Sequence, residues 1–223
     1  MSFFRRKSKQ PQQTPQPERP AATWDGDQGI RLRRYESYEE YTEHQASKLA
    51  KLDLTNYSKR FREALTERLK LLPNQPRGST VLCLGARNGA ECEAFIEKGF
   101  FAVGVDLNPG TSNKTVLHGD FHNLQFASES VDIVFTNTLD HAFNLDKVIG
   151  EVSRVLKPKG LLITEIVRGS TDEAGREPGD FESAWWDSLE AVIDHIQRLG
   201  FTLWERQRFE YPWNGDQCIF LKN

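Results

Sequence analysis

Between Thr80 and Ile166 short apolar runs alternate with amphipathic stretches, and no other feature of the chain narrows its fold as much. Thr80–Leu84 reads as a strand, Glu91–Glu97 as a helix closed by Gly99, and Phe101–Val105 as a second strand ending at Asp106. Thr115–Leu117 is a third strand and Val131–Phe135 a fourth. Phe143–Leu156 carries a 3.6-residue apolar period stopped by Pro158 and Gly160, and Leu161–Ile166 is a fifth strand. Strands alternating with helices build a parallel sheet, because each crossover lays a helix on one of its faces. Leu189, Val192, Ile193, Ile196 and Leu199 then mark one more helix, with Ser183 as its cap and Gly200 past its end. Phe201–Arg206 and Gln217–Leu221 are joined by too few residues for a crossover helix, so they are expected to pair antiparallel. The expected class is α/β: a doubly wound, mostly parallel seven-stranded sheet with a C-terminal antiparallel hairpin.

The flanks read differently. Residues 1–28 are rich in Pro, Gln, Lys and Arg and nearly free of aliphatic side chains, so they are expected to form a disordered tail. Its Phe3-Phe4 pair beside Arg5, Arg6 and Lys7 reads as a solvated basic cluster, not as an anchor. Residues 29–75 are expected to be a helical extension. Tyr35, Tyr38 and Tyr41 recur every three residues, and Phe61, Leu65, Leu69 and Leu72 form an apolar face that Ser58 can cap and Pro73 stops. Residues 76–223 would be the α/β domain. With 38% hydrophobic and 27% charged residues and a net charge of −3, the chain has no basic face for nucleic acid. No apolar run is long enough for stable membrane insertion, and the first residues, MSFFRRKSK, lack the apolar core that a secretory signal needs, which makes the cytoplasm the expected location. Three cysteines without paired spacing, and no Cys/His ligand cluster, give no expectation of a metal. The oligomeric state is not legible.

In an open parallel sheet, ligands bind above the carboxyl ends of the strands, where strand order reverses. Four such ends carry polar or glycine signals in order: Gly85-Ala86-Arg87-Asn88-Gly89, then Asp106, then Asp120-Phe121, then Asn137 followed by Asp140 and His141. Glycines let a turn come close to a ligand, the following helix aims its amides at an anion, and a carboxylate is the natural acceptor for a diol. Each signal alone has a plainer reading, since a strand-final Asp also caps turns and a two-glycine turn can simply be tight. The ordered set is far less common by chance.

On those residues the chain resembles the class I S-adenosylmethionine-dependent methyltransferases. VLCLGARNGAE is similar to their first motif and GVDLNPG to the acidic second motif. The stretch HGDFHNLQFASESVDIVFTNTLDHAFNLDKVIGEVSRVLKPKGLLITE resembles the type 11, UbiE-like small-molecule branch. The resemblance covers roughly Thr80 to Glu165 and implies a Rossmann-like methyltransferase fold with S-adenosyl-L-methionine as cofactor. It implies that Gly85 and Gly89 frame the methionine end, that Asp106 holds the ribose, and that Ala86, Arg87 and Leu107 are also among the cofactor-binding residues. Asp120 is implied near the adenine amino group, Phe121 beside the ring and Asn137 near the transfer point. Two departures stand out. Cys83 replaces the family's acid in the first strand, and Arg87 replaces the middle glycine of the turn. Glu91 could take over part of the missing acid's work, and Arg87 is expected to swing to solvent.

Methyl transfer is an in-line displacement, so alignment carries much of the rate, and a base is needed only when the nucleophile must lose a proton. His141 is the best-placed base, although a lone His is more often structural. Arg168, Trp185, Trp186, Tyr211 and Trp213 could roof the site. The expected activity is methyl transfer to a small-molecule or peripheral acceptor. The competing readings are a non-catalytic binding module on a degenerate methyltransferase fold and a nucleotide-binding oxidoreductase. The latter is disfavoured because two glycines four apart are not the G-x-G-x-x-G turn.

Overall fold

The computed structural model describes residues 22–48, 56–111 and 114–223. The basic Phe3-Phe4 cluster and the middle of the expected helical extension lie outside the described residues. Ten strands and five α-helices are formed among the rest: β1 (Trp24–Asp27), β2 (Ile30–Arg33), α1 (Tyr38–Ser47), α2 (Tyr57–Arg68), β3 (Thr80–Leu84), α3 (Ala90–Glu97), β4 (Phe101–Asp106), β5 (Val116–His118), β6 (Val131–Thr136), α4 (Leu145–Val155), β7 (Leu156–Val167), β8 (Ala184–Trp186), α5 (Leu189–Arg198), β9 (Phe201–Phe209) and β10 (Gly215–Lys222).

Seven strands make the main sheet in the order β5-β4-β3-β6-β7-β10-β9. β3 pairs in parallel with both β4 and β6, so strand order reverses at its carboxyl end. β10 runs antiparallel between β7 and β9, as the short 210–214 connection requires. The expected doubly wound sheet with its terminal hairpin is therefore present. Alternation along β3 divides the interior: Leu82 and Leu84 point into a cluster with α4 and α5, and Val81 and Cys83 into one with α2 and α3. On α4, Val148, Ile149, Val152 and Val155 are at most 2% exposed. Each such side chain contributes about 1.5–3 kcal/mol by leaving water. Asn144 caps that helix by accepting from the Lys147 amide.

The flanks differ from expectation. Trp24–Asp27, assigned to the disordered tail, pairs with β2, and β2 pairs with β8 in a separate three-stranded antiparallel sheet. The extension is thus not purely helical. Ser183 does not cap α5; its hydroxyl is taken by Tyr35 at 2.7 Å and by Gln45 Nε2 at 3.0 Å. Ser188 caps the helix instead, accepting from Ala191. Residues 184–186 become the buried strand that receives β2. Ser58 lies inside α2, whose N-cap is Asn56, and that helix gives way to a 3-10 turn at Leu69–Leu71 before Pro73.

Candidate functional site

The β3–α3 turn is locked before any ligand is considered. Gly85 and Ala86 amides donate to the Val105 carbonyl at 2.8 and 3.3 Å, drawing the turn over the end of β4. Gly85 sits at φ 68°, and a Cβ placed there would stand 2.4 Å from Thr138 Oγ1. Arg87 holds φ 35° and Gly89 φ 79°, so three of the five residues are left-handed. Arg87 bears that strain without the freedom of the glycine the family carries there.

Asp106 closes the next strand at 8% exposure. Its Oδ2 accepts from the Arg87 amide at 3.0 Å and Oδ1 from the Asn108 amide at 2.6 Å. Each oxygen keeps a lone pair for a further donor. Above this floor opens a cleft of about 380 Å³, within the range of about 300–1,000 Å³ usual for small-ligand sites. Gly85, Ala86, Arg87, Asp106, Leu107, Phe121, Asn137 and His141 all line it. Arg87 is half-buried on the wall of this cleft.

Asp120 is placed differently. Tyr38 Oη donates to its Oδ2 at 2.6 Å, and the amide and Nδ1 of His122 donate to Oδ1, each at 2.8 Å. Burial opposes its charge, but these hydrogen bonds bring the carboxyl down to about 2. His122 Nε2 in turn accepts the Phe143 and Asn144 amides ahead of α4. Asp120 is off the cleft wall and ties α1 to this loop; of the Asp120-Phe121 pair, only Phe121 reaches the cleft.

His141 is held at both nitrogens. Its Nδ1–H donates to the Phe181 carbonyl at 3.0 Å, so Nε2 is the acceptor for Lys48 Nζ at 2.7 Å. Tyr41 Oη donates to the His141 carbonyl at 3.0 Å. Burial lowers the imidazole's proton affinity, and the Lys48 charge adds to that while Asp140 opposes it. Burial likewise lowers that of Lys48. The ring is thus neutral at pH 7, its one lone pair on Nε2 occupied by Lys48.

The roof was partly legible. Trp186 and Trp213 line the cleft. Trp185 is turned away, its indole N–H on Ser170 Oγ at 2.9 Å, and Arg168 pairs with Asp216 at 2.8 Å. Sequence reasoning singled out Tyr41 in the Tyr stripe but missed Gln45 and Lys48, which follow it at spacings of four and three along α1 and its C-cap. It also missed Glu165. This carboxyl accepts from Arg68 Nε at 2.6 Å and Gln217 Nε2 at 3.1 Å on Oε1, while Oε2 is buried without a partner among the described residues. Trp213 Nε1 is likewise buried and unpartnered.

Comparison with known proteins agrees with this geometry. Residues 82–164 match the family described as Methyltransferase domain. The chain carries a methyltransferase domain. Over 119 residues it is 30% identical to malonyl-[acyl-carrier protein] O-methyltransferase 1 of Coxiella burnetii, covering 51% of this chain and 42% of that protein. The chain thus spans less than half the length of that relative. The methyltransferase domain and its flanks also superpose on solved structures. One is the 1,6-didemethyltoxoflavin-N1-methyltransferase of Burkholderia thailandensis with bound S-adenosylhomocysteine (TM-score 0.66, 16% identity, 87% of this chain and 96% of that one). Another is a methyltransferase from Haloferax volcanii in complex with its Trm112 activator (TM-score 0.62, 18% identity, 82% and 97%). These likenesses show the fold, and S-adenosylmethionine is the cofactor of the family. The residues present fit that group: a turn that a Cβ would obstruct, a buried carboxylate with spare lone pairs at the strand end, and an adjoining cleft.

Among the described residues no helix is long and apolar enough to cross a membrane.

Proposed function

We propose that the protein transfers the methyl group of S-adenosylmethionine to a small-molecule acceptor bound in the same cleft. The observation that carries this reading is the buried Asp106 carboxylate at the carboxyl end of β4, oriented by two backbone amides beside the Gly85–Gly89 turn. In this reading Asp106 takes the ribose hydroxyls, Leu107 and Phe121 flank the adenine, and the Gly85–Gly89 turn admits the methionine end. Bound there, the cofactor supplies an electrophilic methyl.

In this reading the acceptor end is formed by Tyr41, Gln45, Lys48, His141, Trp186 and Trp213, all of which line the cleft. Its aromatic walls and few convergent polar groups suit a small molecule. In this reading Asn137, which lines the cleft, would orient the acceptor for in-line attack. His141 Nε2 is the proposed proton acceptor; the nucleophile's hydroxyl or amine would take the place that Lys48 Nζ holds in the structure. A cleft that binds the cofactor without turnover is the second reading, favoured by Arg87 on the cleft wall where the family has glycine.

The test uses methyl-tritiated S-adenosylmethionine with a metabolite extract of molecules below about 1 kDa, and separately with protein and RNA fractions. Label entering a small molecule, lost in His141→Gln, supports the proposal. Label confined to protein or RNA overturns the small-molecule acceptor. Cofactor binding with no transfer to any fraction leaves the binding-module reading.

A further inference from the structure

Cys83 is fully buried, with its thiol hydrogen-bonded to Cys92 and pushed up by burial. It lies where the resembled family has an acid. Beside it, in the first turn of α3, Glu91 lines the cleft at 7% exposure. Its carboxyl is hydrogen-bonded by the Asn137 side chain and by its own amide. The titratable groups facing it are Glu165 on β7, Asp106 on β4, Cys83 on β3 and Tyr57 on α2. None is a cation. Arg68, the positive charge nearby, is committed to Glu165 Oε1 at 2.6 Å.

Among the groups that face Glu91, charge accounting leaves one carboxyl over. Asp106 is hydrogen-bonded by backbone amides and Glu165 is ion-paired to Arg68 through Oε1, whereas Glu91 has like-charged neighbours and no ion-pair partner among the described residues. A buried carboxyl in that position stays protonated until a cation arrives. Burial and the charges of Glu165 and Asp106 push it up to about 8. An independent sign of a missing polar partner lies on the same cleft, in the buried and unpartnered Glu165 Oε2 and Trp213 Nε1.

We propose that Glu91 receives the α-ammonium of the cofactor's amino-acid end, so that the acid the family carries on the strand is supplied here from the first turn of the following helix. This rests on the cofactor reading above. The step balances as one proton moved: the ammonium enters charged, the Glu91 carboxyl ionises against it, and its proton passes to the buffer.

The experiment is calorimetric titration at pH 7 in phosphate and in Tris, whose ionisation heats differ, using S-adenosylhomocysteine and 5′-methylthioadenosine, which lacks the amino-acid end. Wild type should release most of a proton with the first ligand and almost none with the second. Glu91→Gln should weaken S-adenosylhomocysteine about 10- to 100-fold, the scale of one lost charge-assisted hydrogen bond, and abolish proton release. Its affinity for 5′-methylthioadenosine should stay within about twofold. Returning the acid to the strand, in the double variant Cys83→Asp/Glu91→Gln, should recover much of the lost affinity. The proposal is overturned if Glu91→Gln binds S-adenosylhomocysteine as wild type does. It is also overturned if both ligands weaken equally, which marks a collapsed pocket, or if the proton is released only when an amine such as benzylamine is added to the loaded protein. Failure of wild type to bind either nucleoside is a different pattern, and it overturns the cofactor reading itself.

Discussion

Replacing Gly85 by alanine tests how tightly the β3–α3 turn is built. The new Cβ would stand 2.4 Å from Thr138 Oγ1 and 2.7 Å from Thr138 Cγ2, far inside van der Waals contact. Thr138 has little room to retreat, because its hydroxyl is hydrogen-bonded to the Leu84 carbonyl at 3.4 Å and to Thr136 Oγ1 at 3.1 Å. Two costs add. A left-handed φ of 68° in a residue with a Cβ costs about 1–2 kcal/mol, and overpacking against a held side chain about 1–3 kcal/mol. The expected loss is about 3 kcal/mol, or roughly 6–12 °C in Tm for a chain of this size. Urea unfolding of Gly85→Ala, Thr138→Ala and the double variant separates the two costs. The double variant should recover most of the overpacking share of about 1–3 kcal/mol and keep the backbone share. A loss below about 0.5 kcal/mol in the single variant, or no coupling between the sites, would refute the reasoning.

Other outcomes follow from the same geometry. The Asp120 carboxyl is held below its ordinary value, so its contribution is complete above pH 4 and is lost as pH falls through about 2. For a partly exposed group this amounts to about 1–2 kcal/mol. Asp120→Asn should therefore flatten the decline of unfolding free energy between pH 4 and pH 2, and an unchanged acid limb would count against the Tyr38–Asp120–His122 link. Arg68→Met strands a buried carboxyl and should cost about 3–5 kcal/mol in urea unfolding, whereas Arg68→Met/Glu165→Leu should recover most of it. Equal losses in the two would show that the pair stabilises through packing alone. His141 should remain neutral at pH 7, because burial lowers its proton affinity; an imidazole resonance that titrates at or above the ordinary value would contradict the Nε2 acceptor role.

The central sheet was legible because its strands are continuous apolar runs bounded by glycine, proline and strand-final acids. β3, β4 and β6 fall within one residue of where the pattern puts them. β1 and β2 were not, since WDGD and IRLR are four residues each, with no buried face to impose an alternation. β8 hid behind the reading of Ser183 as a helix cap, whereas its hydroxyl is taken by a tertiary contact from Tyr35 and Gln45. The same holds for the site. The turn and Asp106 are local signals, whereas the fate of Asp120 is set by Tyr38, 82 residues away. Glu165 read as one more strand residue until α2 brought Arg68 to it. Lys48 came to His141 across 93 residues. Long-range polar pairing leaves no period in a sequence, so it has to be seen in space.

The most direct test of the account is calorimetric binding of S-adenosylhomocysteine to the wild-type chain and to Asp106→Ala. Asp106 would give the ribose two charge-assisted hydrogen bonds, so the variant should bind at least about 10- to 100-fold more weakly while keeping its fold. Saturable binding in wild type with that loss is the predicted result. No binding by wild type, or an Asp106→Ala variant that binds as tightly, would contradict the assignment of this cleft to the methyl donor.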